Sequence, residues 1–290
     1  VTVRPLPLAL ALLTAAGCGS NQPAFNFNTD ASVRRDAVAD VAPEGGATPL
    51  DVPAIPVDVP TVLDNVRVFA HSSDSLYAVN PRTYGVVRIG LFQWPADGND
   101  HRMTDIAVNA QGDIWGITFG ALYRVDPTNA RCTYVADFDG VTVNGLSFVP
   151  ADEFQGGTEQ LIAADRAGFV YRVDTTTGRT TQYGMYGDGV GSSGDIVSVL
   201  NAGTFATVVS DGIEYLARVN PMTGRATLIG PTNQTETWGL GYWRGSVYGF
   251  TSGGLLVLID ITTGRATPEQ RTGPPWWGAG VTTLAPTAPP

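Results

Sequence analysis

One phrase occurs five times along the chain. It reads "LYAVNPRTYGVVRIG" from Leu76, "LYRVDPTNARCTYVA" from Leu122, "VYRVDTTTGRTTQYG" from Val170, "LARVNPMTGRATLIG" from Leu216 and "LVLIDITTGRATPEQ" from Leu256. The acidic or amide residue inside it falls at Asn80, Asp126, Asp174, Asn220 and Asp260, at intervals of 46, 48, 46 and 40 residues. A repeat of this period predicts a propeller or a solenoid, because a single unit cannot bury its own apolar face and must stack on its neighbours. Within the phrase the alternation is that of a strand. In "ALYRVD", Tyr123 and Val125 face one way, Leu122 and Arg124 the other. No window of twelve residues carries a helical period, so the fold expected is all-β.

The "DPxTG" element of the phrase has a mechanical reason. An Asp or Asn at a strand end accepts hydrogen bonds from amides two and three residues on, and a Pro after it pre-sets φ. A left-handed residue then turns the chain into the next strand. Gly178, Gly224 and Gly264 fill that slot, but Tyr84 and Ala130 fill it in the first two units, where the turns are expected to differ. Ahead of each phrase, stretches such as "TDIAVNAQGDIWGITFG" and "WGLGYWRGSVYGFTSGG" hold two further strands, which makes four per unit. The first unit has one strand too few, in "VRVFAHSSDS", and the chain ends on a spare one, in "WWGAGVTTLAP". The expected fold is therefore a five-bladed β-propeller of four-stranded blades over residues 66–286, with 287–290 as a tail. The C-terminal segment supplies the innermost strand of the first blade, which closes the ring and removes open sheet edges.

The five phrases resemble the repeats of quinoprotein-like and WD40-like β-propellers, a loose group of bacterial extracytoplasmic proteins. The resemblance covers residues 66–286 and implies the fold without an activity. Pyrroloquinoline quinone enzymes of that group use larger propellers, so their cofactor is not carried over.

Composition narrows the chemistry. All 17 basic residues are Arg, which excludes a Schiff-base Lys, a Ser–Lys dyad and a P-loop Lys. The net charge of −10 argues against a nucleic-acid partner. Two His, His71 and His101, argue against a His-rich zinc site, and two Cys, Cys18 and Cys132, exclude a disulfide framework.

The first eighteen residues, "VTVRPLPLALALLTAAGC", have a positive start, a short apolar run and small residues before Cys18, the layout of a secretory signal. "TAAGC" resembles the lipobox of bacterial lipoproteins, with Ala15 where that family usually has Leu. The resemblance implies a lipid on Cys18 and, with Gly19 after it, the outer membrane of the cell envelope, facing the periplasm or the outside. Residues 19–65 read as a disordered linker. Its "DVPAIPVDVP" places Pro at nearly every third position, which favours extended chain and cannot bury enough apolar surface to fold.

On a propeller, ligands sit over the channel, among the loops that lead into the innermost strands. That placement makes His71, His101, Asp105, Asn144, Asp195, Trp238 and Trp277 the candidate ligand-binding residues. In "PADGNDHR", Asp97, Asn99 and Asp100 offer oxygens to calcium, the one ion considered; no other cofactor is expected. The Trp residues suit a sugar ring or a peptide. Either His beside a carboxylate suits a general base, and a glycosidase-type carboxylate pair is open, with no spacing that singles one out. The function expected is a lipid-anchored, monomeric binding or scaffold module with a protein or glycan partner and no catalytic residue. The alternatives are a lectin-like propeller and a hydrolase or lyase over the channel.

Overall fold

The computed structural model describes residues 68–288 except 97–99, 139, 155–156 and 272. The expected signal region with Cys18, the expected linker over 19–65, and the metal candidates Asp97 and Asn99 lie outside the described residues.

The strands follow in chain order. β1 (Val68–His71), β2 (Ser75–Val79) and β3 (Val86–Leu91) belong to blade I. Blade II is β4 (Asp105–Val108), β5 (Ile114–Ile117), β6 (Ala121–Val125) and β7 (Cys132–Asp137). Blade III is β8 (Gly145–Val149), β9 (Gln160–Ala164), β10 (Phe169–Val173) and β11 (Thr180–Met185). Blade IV is β12 (Val190–Val199), β13 (Gly203–Ser210), β14 (Ile213–Val219) and β15 (Ala226–Pro231). Blade V is β16 (Thr237–Trp243), β17 (Ser246–Thr251), β18 (Leu255–Ile259) and β19 (Ala266–Arg271), and β20 (Gly278–Val281) returns to blade I. Each blade is a four-stranded antiparallel meander, and blade I has the order β20-β1-β2-β3. The protein is a five-bladed β-propeller whose C-terminal strand closes the ring. Val68 pairs with Val281 and His71 with Gly278.

Burial grades outward. The innermost strands β4, β8 and β20 are buried at every position, as is β1, whereas β3 and β7 are mostly exposed or half-buried. The core is accordingly a set of layers between blades, not one central mass. Phe69, Leu76, Ile106 and Tyr123 fill one such layer between blades I and II, and Ile162, Val170, Ile196 and Ala206 fill another between III and IV.

The repeated phrase forms five turns of one kind. The fourth residue past each Asp or Asn donates its amide back to that residue's carbonyl, at 2.8–2.9 Å in all five turns. The side-chain oxygen of the Asp or Asn accepts the amide two residues on, as in Asn80–Arg82 (2.9 Å), Asp126–Thr128 (2.8 Å) and Asp260–Thr262 (2.8 Å). Those bonds, with the Thr262 hydroxyl first, hold the Asp260 carboxyl down at about 2. The expectation that the first two turns differ is wrong: Tyr84 (φ 59°) and Ala130 (φ 60°) take the same left-handed conformation as Gly178, Gly224 and Gly264 (φ 68°, 70° and 75°). Glycine is required in the last three because the turn docks on the neighbouring blade. A Cβ at Gly178 would lie 2.7 Å from the Ala136 Cβ, one at Gly224 would lie 3.1 Å from the Gly184 Cα, and one at Gly264 would fall on the Gly230 carbonyl.

β1 runs from Val68 at one face of the ring to His71 at the other. The face holding His71 and the starts of the innermost strands is called the mouth, and the opposite face the base. Residues after β20 cross the base. Thr282 bridges to Val108 in blade II, the Thr283 carbonyl accepts the Leu200 amide (2.8 Å) from blade IV, and the Pro286 carbonyl accepts that of Arg244 (2.7 Å) from blade V. The Thr283 hydroxyl donates to Glu159 of blade III, whose carboxylate also accepts the Ala110 amide of blade II at 3.0–3.1 Å. One short segment thereby ties the base turns of four blades.

Candidate functional site at the channel mouth

The five innermost strands bring Asp105, Gly145, Asp195, Gly239 and Gly278 to equivalent places around the channel. The strands crowd there. A Cβ at Gly145 would lie 2.9 Å from the Gly194 carbonyl oxygen, and one at Gly239 would lie 2.6 Å from the Gly278 carbonyl carbon. Three glycines leave room for two carboxyl groups, and both are fully buried.

Each carboxyl binds the main chain. Asp105 accepts the Ile106 amide at 2.8 Å on Oδ1 and the Leu146 amide of blade III at 2.7 Å on Oδ2. Asp195 accepts the Ile196 amide at 2.6 Å on Oδ1 and the Leu240 amide of blade V at 2.5 Å on Oδ2, and it also bonds the Ala279 amide of β20. The two carboxyls hydrogen-bond to each other, so that all five innermost strands meet in one knot. Burial pushes Asp195 up to about 8. Burial, and then the neighbouring Asp195 charge, pushes Asp105 well above the carboxylate range. Two carboxylates cannot share this site fully ionised, and the pair keeps a proton through neutral pH.

His71 lies beside the knot. A Cβ at Gly278 would collide with both His71 Nε2 and Asp105 Oδ1. The ring is fully buried, which lowers its pKa to about 4, and its Nδ1–H donates to the Ser72 carbonyl at 2.8 Å. Nε2 has no hydrogen-bond partner among the described residues. His71 is a neutral imidazole inside the fold.

The two His do not converge. His71 meets Phe92 (6.0 Å between ring centres), Phe92 meets Trp94 (5.7 Å), and His101 stacks on the outer side of Trp94 (5.5 Å, 12° between planes). His101 is exposed, two aromatic rings away from the knot. Asp100 accepts the Phe119 amide on Oδ2 at 3.1 Å, so this metal candidate serves a loop contact. No group of three or more metal-binding side chains occurs among the described residues.

Asn144 enters blade III on the mouth side; its amide donates to the Ala164 carbonyl (2.9 Å), and its Oδ1 is buried with no partner among the described residues. Trp238 and Trp277 enter blades V and I there, half-buried and edge to face, with ring centres 6.0 Å apart. The Arg102 guanidinium stands 5.7 Å from the centre of the Trp277 ring. The neighbouring Trp276 points the other way, into the layer between blades, against Tyr77 (5.2 Å) and Phe250 (5.5 Å). Beside Trp277 opens a shallow pocket of about 540 Å³ lined by Ser73, Asp74, Arg88, Pro274 and Pro275 among others.

Of the residues expected at the channel, Asp105, Asp195 and His71 are thus gathered below the mouth, Asn144, Trp238 and Trp277 line it, and His101 stands apart. Sequence reasoning missed Arg102, although it belongs to the polar cluster "PADGNDHR". It also missed Arg88, which lies in the outer strand of the first repeated phrase, where the pattern marks a strand and not a site. Nothing local marks Glu159 as a tie across the base.

Among solved structures the chain is similar to a symmetrical protein of de novo evolutionary emergence, at 15% identity over 74% of this chain and 93% of that one, with a TM-score of 0.44. It is similar to BamB from Moraxella catarrhalis at 14% identity over 71% and 73% of the two chains, with a TM-score of 0.33. It is similar to a protein of unknown function from Bacteroides caccae at 9% identity over 72% and 73%, with a TM-score of 0.41. No family profile and no curated protein matches the chain.

Proposed function

We propose that this propeller is a non-catalytic binding module, held at the cell envelope by a lipid on Cys18, which takes its ligand at the channel mouth. One observation carries the proposal. The groups with acid–base chemistry inside the channel, Asp105, Asp195 and His71, are fully buried and bonded to the main chain, while the Trp238 and Trp277 indoles and the Arg102 guanidinium cluster at the mouth within reach of solvent. Aromatic rings with an Arg beside them are the side chains that anchor partners at interfaces. The layout of the chain supports the same proposal. Among the described residues, Val68 pairs with Val281 on the base and the residues after β20 bond to the base turns.

The test is recovery of a partner from envelope extracts by the full chain, compared with Trp277→Ala and Arg102→Ala. Loss in both variants, with unchanged melting, is the expected result. Turnover of any ester or glycoside that disappears in His101→Ala would contradict it and select the hydrolase alternative. The lectin-like alternative is favoured by a separate observation, the pocket beside Trp277.

A further inference from the structure

The pocket beside Trp277 lies at the seam where the ring closes. The segment leading from β19 into β20 passes there over the β1–β2 turn of blade I. Its two sides differ in chemistry. One is apolar and flat: the Trp277 indole with Pro274 and Pro275. Trp277 is fixed by its amide, which donates to the His71 carbonyl at 2.9 Å. The other side is polar and pre-arranged. Asp74 Oδ1 accepts the Ser72 hydroxyl at 2.7 Å and the Ser75 hydroxyl at 2.9 Å. The Ser75 oxygen in turn accepts Arg88 Nε–H at 3.2 Å. Ser75 therefore stands between the carboxylate and the guanidinium and fixes their spacing, and it is itself buried. Asp74 and Arg88 are both exposed and both line the pocket.

We propose that this pocket binds a neutral pyranose, the terminal sugar of a glycan. The proposal rests on the binding-module assignment above and gives it a ligand class. A carboxylate oxygen accepts from sugar hydroxyls and a guanidinium donates to them, so a fixed Asp–Arg pair answers two adjacent hydroxyls, each of which both donates and accepts. The opposite charges, held apart by Ser75, offset each other, which favours a neutral ligand over a lone anion or cation. The indole and proline rings take the C–H face of the sugar. The pocket is open, which suits the end of a chain and not a small metabolite that must be engulfed to be held. The hydroxyl bonds from Ser72 and Ser75, and then Arg88, keep the Asp74 carboxyl below its usual range and ready as an acceptor.

The test uses the full chain and single methyl pyranosides of glucose, galactose, mannose and N-acetylglucosamine, read by saturation-transfer NMR and tryptophan fluorescence. At least one sugar is expected to saturate, with a Kd on the order of 1–10 mM. Asp74→Asn and Arg88→Gln should each weaken it roughly tenfold or more, without a change in melting temperature. Trp277→Ala should abolish it and Trp277→Phe should keep part of it, which separates loss of the platform from loss of the fold. Silence of all four sugars up to about 0.1 M, or a signal indifferent to Asp74→Asn and Arg88→Gln, overturns the proposal. So does saturation by alanine, used as a zwitterion control, in place of the sugars. An envelope partner recovered through Trp277 and Arg102 without any sugar signal would sink this ligand class and leave the binding module standing. Loss of both signals would sink both.

Discussion

The five outer turns and the five axial positions come from the same repeat and behave in opposite ways. At Asn80, Asp126, Asp174, Asn220 and Asp260 the turns share one hydrogen-bond pattern, and even Tyr84 and Ala130 adopt the conformation that glycine takes elsewhere. At the axis the equivalent residues are of two kinds, Asp105 and Asp195 against Gly145, Gly239 and Gly278. A turn solves its own problem locally, so every blade can use one solution. The axis is a single small space that five strands divide among them, and two carboxyls fit only because three neighbours give up their side chains. Structure is therefore repeated at the rim and shared at the centre.

The largest break in this arrangement is removal of residues 277–290, which takes away β20. Four strand pairings with β1 and the Asp195 bond to Ala279 go with it. Loss of a buried innermost strand should cost more than about 5 kcal/mol. In a domain of this size that lowers the melting temperature by roughly 10–20 °C, read by calorimetry. Equal melting of the shortened chain would show that the ring does not depend on its closure.

Next in size is a contrast between centre and rim. Asp195→Ala leaves the buried amides of Ile196, Leu240 and Ala279 without an acceptor and should cost about 3–5 kcal/mol. Asp174→Ala removes bonds to the Thr176 and Thr177 amides, both in an exposed turn. Water replaces those bonds, and the cost should be about 1 kcal/mol or less. Urea midpoints of the two variants measure the difference; equal midpoints would mean that the knot contributes no more than a turn.

The rim was legible in the sequence because its bonds join residues two to five apart. The spacing of Asn80 to Asp260, the strand alternation and the spare strand at the C-terminus sufficed for the blade count and the closure. The conformation of Tyr84 and Ala130 was misread because a left-handed residue costs an ordinary side chain only about 1–2 kcal/mol. What decides for glycine at Gly178, Gly224 and Gly264 is the approach of Ala136, Gly184 and Gly230 on the next blade, which no local pattern displays. Asp105 and Asp195 were both placed at the channel, but their meeting was not legible, since the repeat says which residues are equivalent and not which side chains cross the axis. The alternation of Asp with Gly at that one position was the available signal. Trp276 and Trp277 show the same limit on a smaller scale, as adjacent residues of one strand entrance point to opposite sides.

A smaller effect sharpens the account of the rim. Gly264→Ala forces a Cβ onto the Gly230 carbonyl and should cost about 2–3 kcal/mol. Ala130→Gly frees a left-handed residue and should change stability by less than about 1 kcal/mol in either direction. Thermal melts of the two variants test whether the neighbour, and not the turn, selects glycine. Equal costs would assign the selection to the turn itself.

The most direct test of the knot is the melting temperature of the protein against pH, beside the double variant Asp105→Asn, Asp195→Asn. Asp195 is raised from 3.8 to about 8 in the fold, so the folded state holds a proton that the unfolded chain releases, and stability falls as pH rises through that window. His71 is lowered from 6.5 to about 4, so its contribution is lost as pH falls through that range and opposes the first effect there. Asp105 is raised as well, so the protein should lose stability as pH rises above about 4, and more steeply from about 6.5 to 8, where His71 no longer opposes the two carboxyls. The double variant should be flat above pH 6.5 and weaken below it, where His71 acts alone. Parallel curves for the two proteins above pH 6.5 would contradict a proton-sharing pair of carboxyls at the centre of the ring.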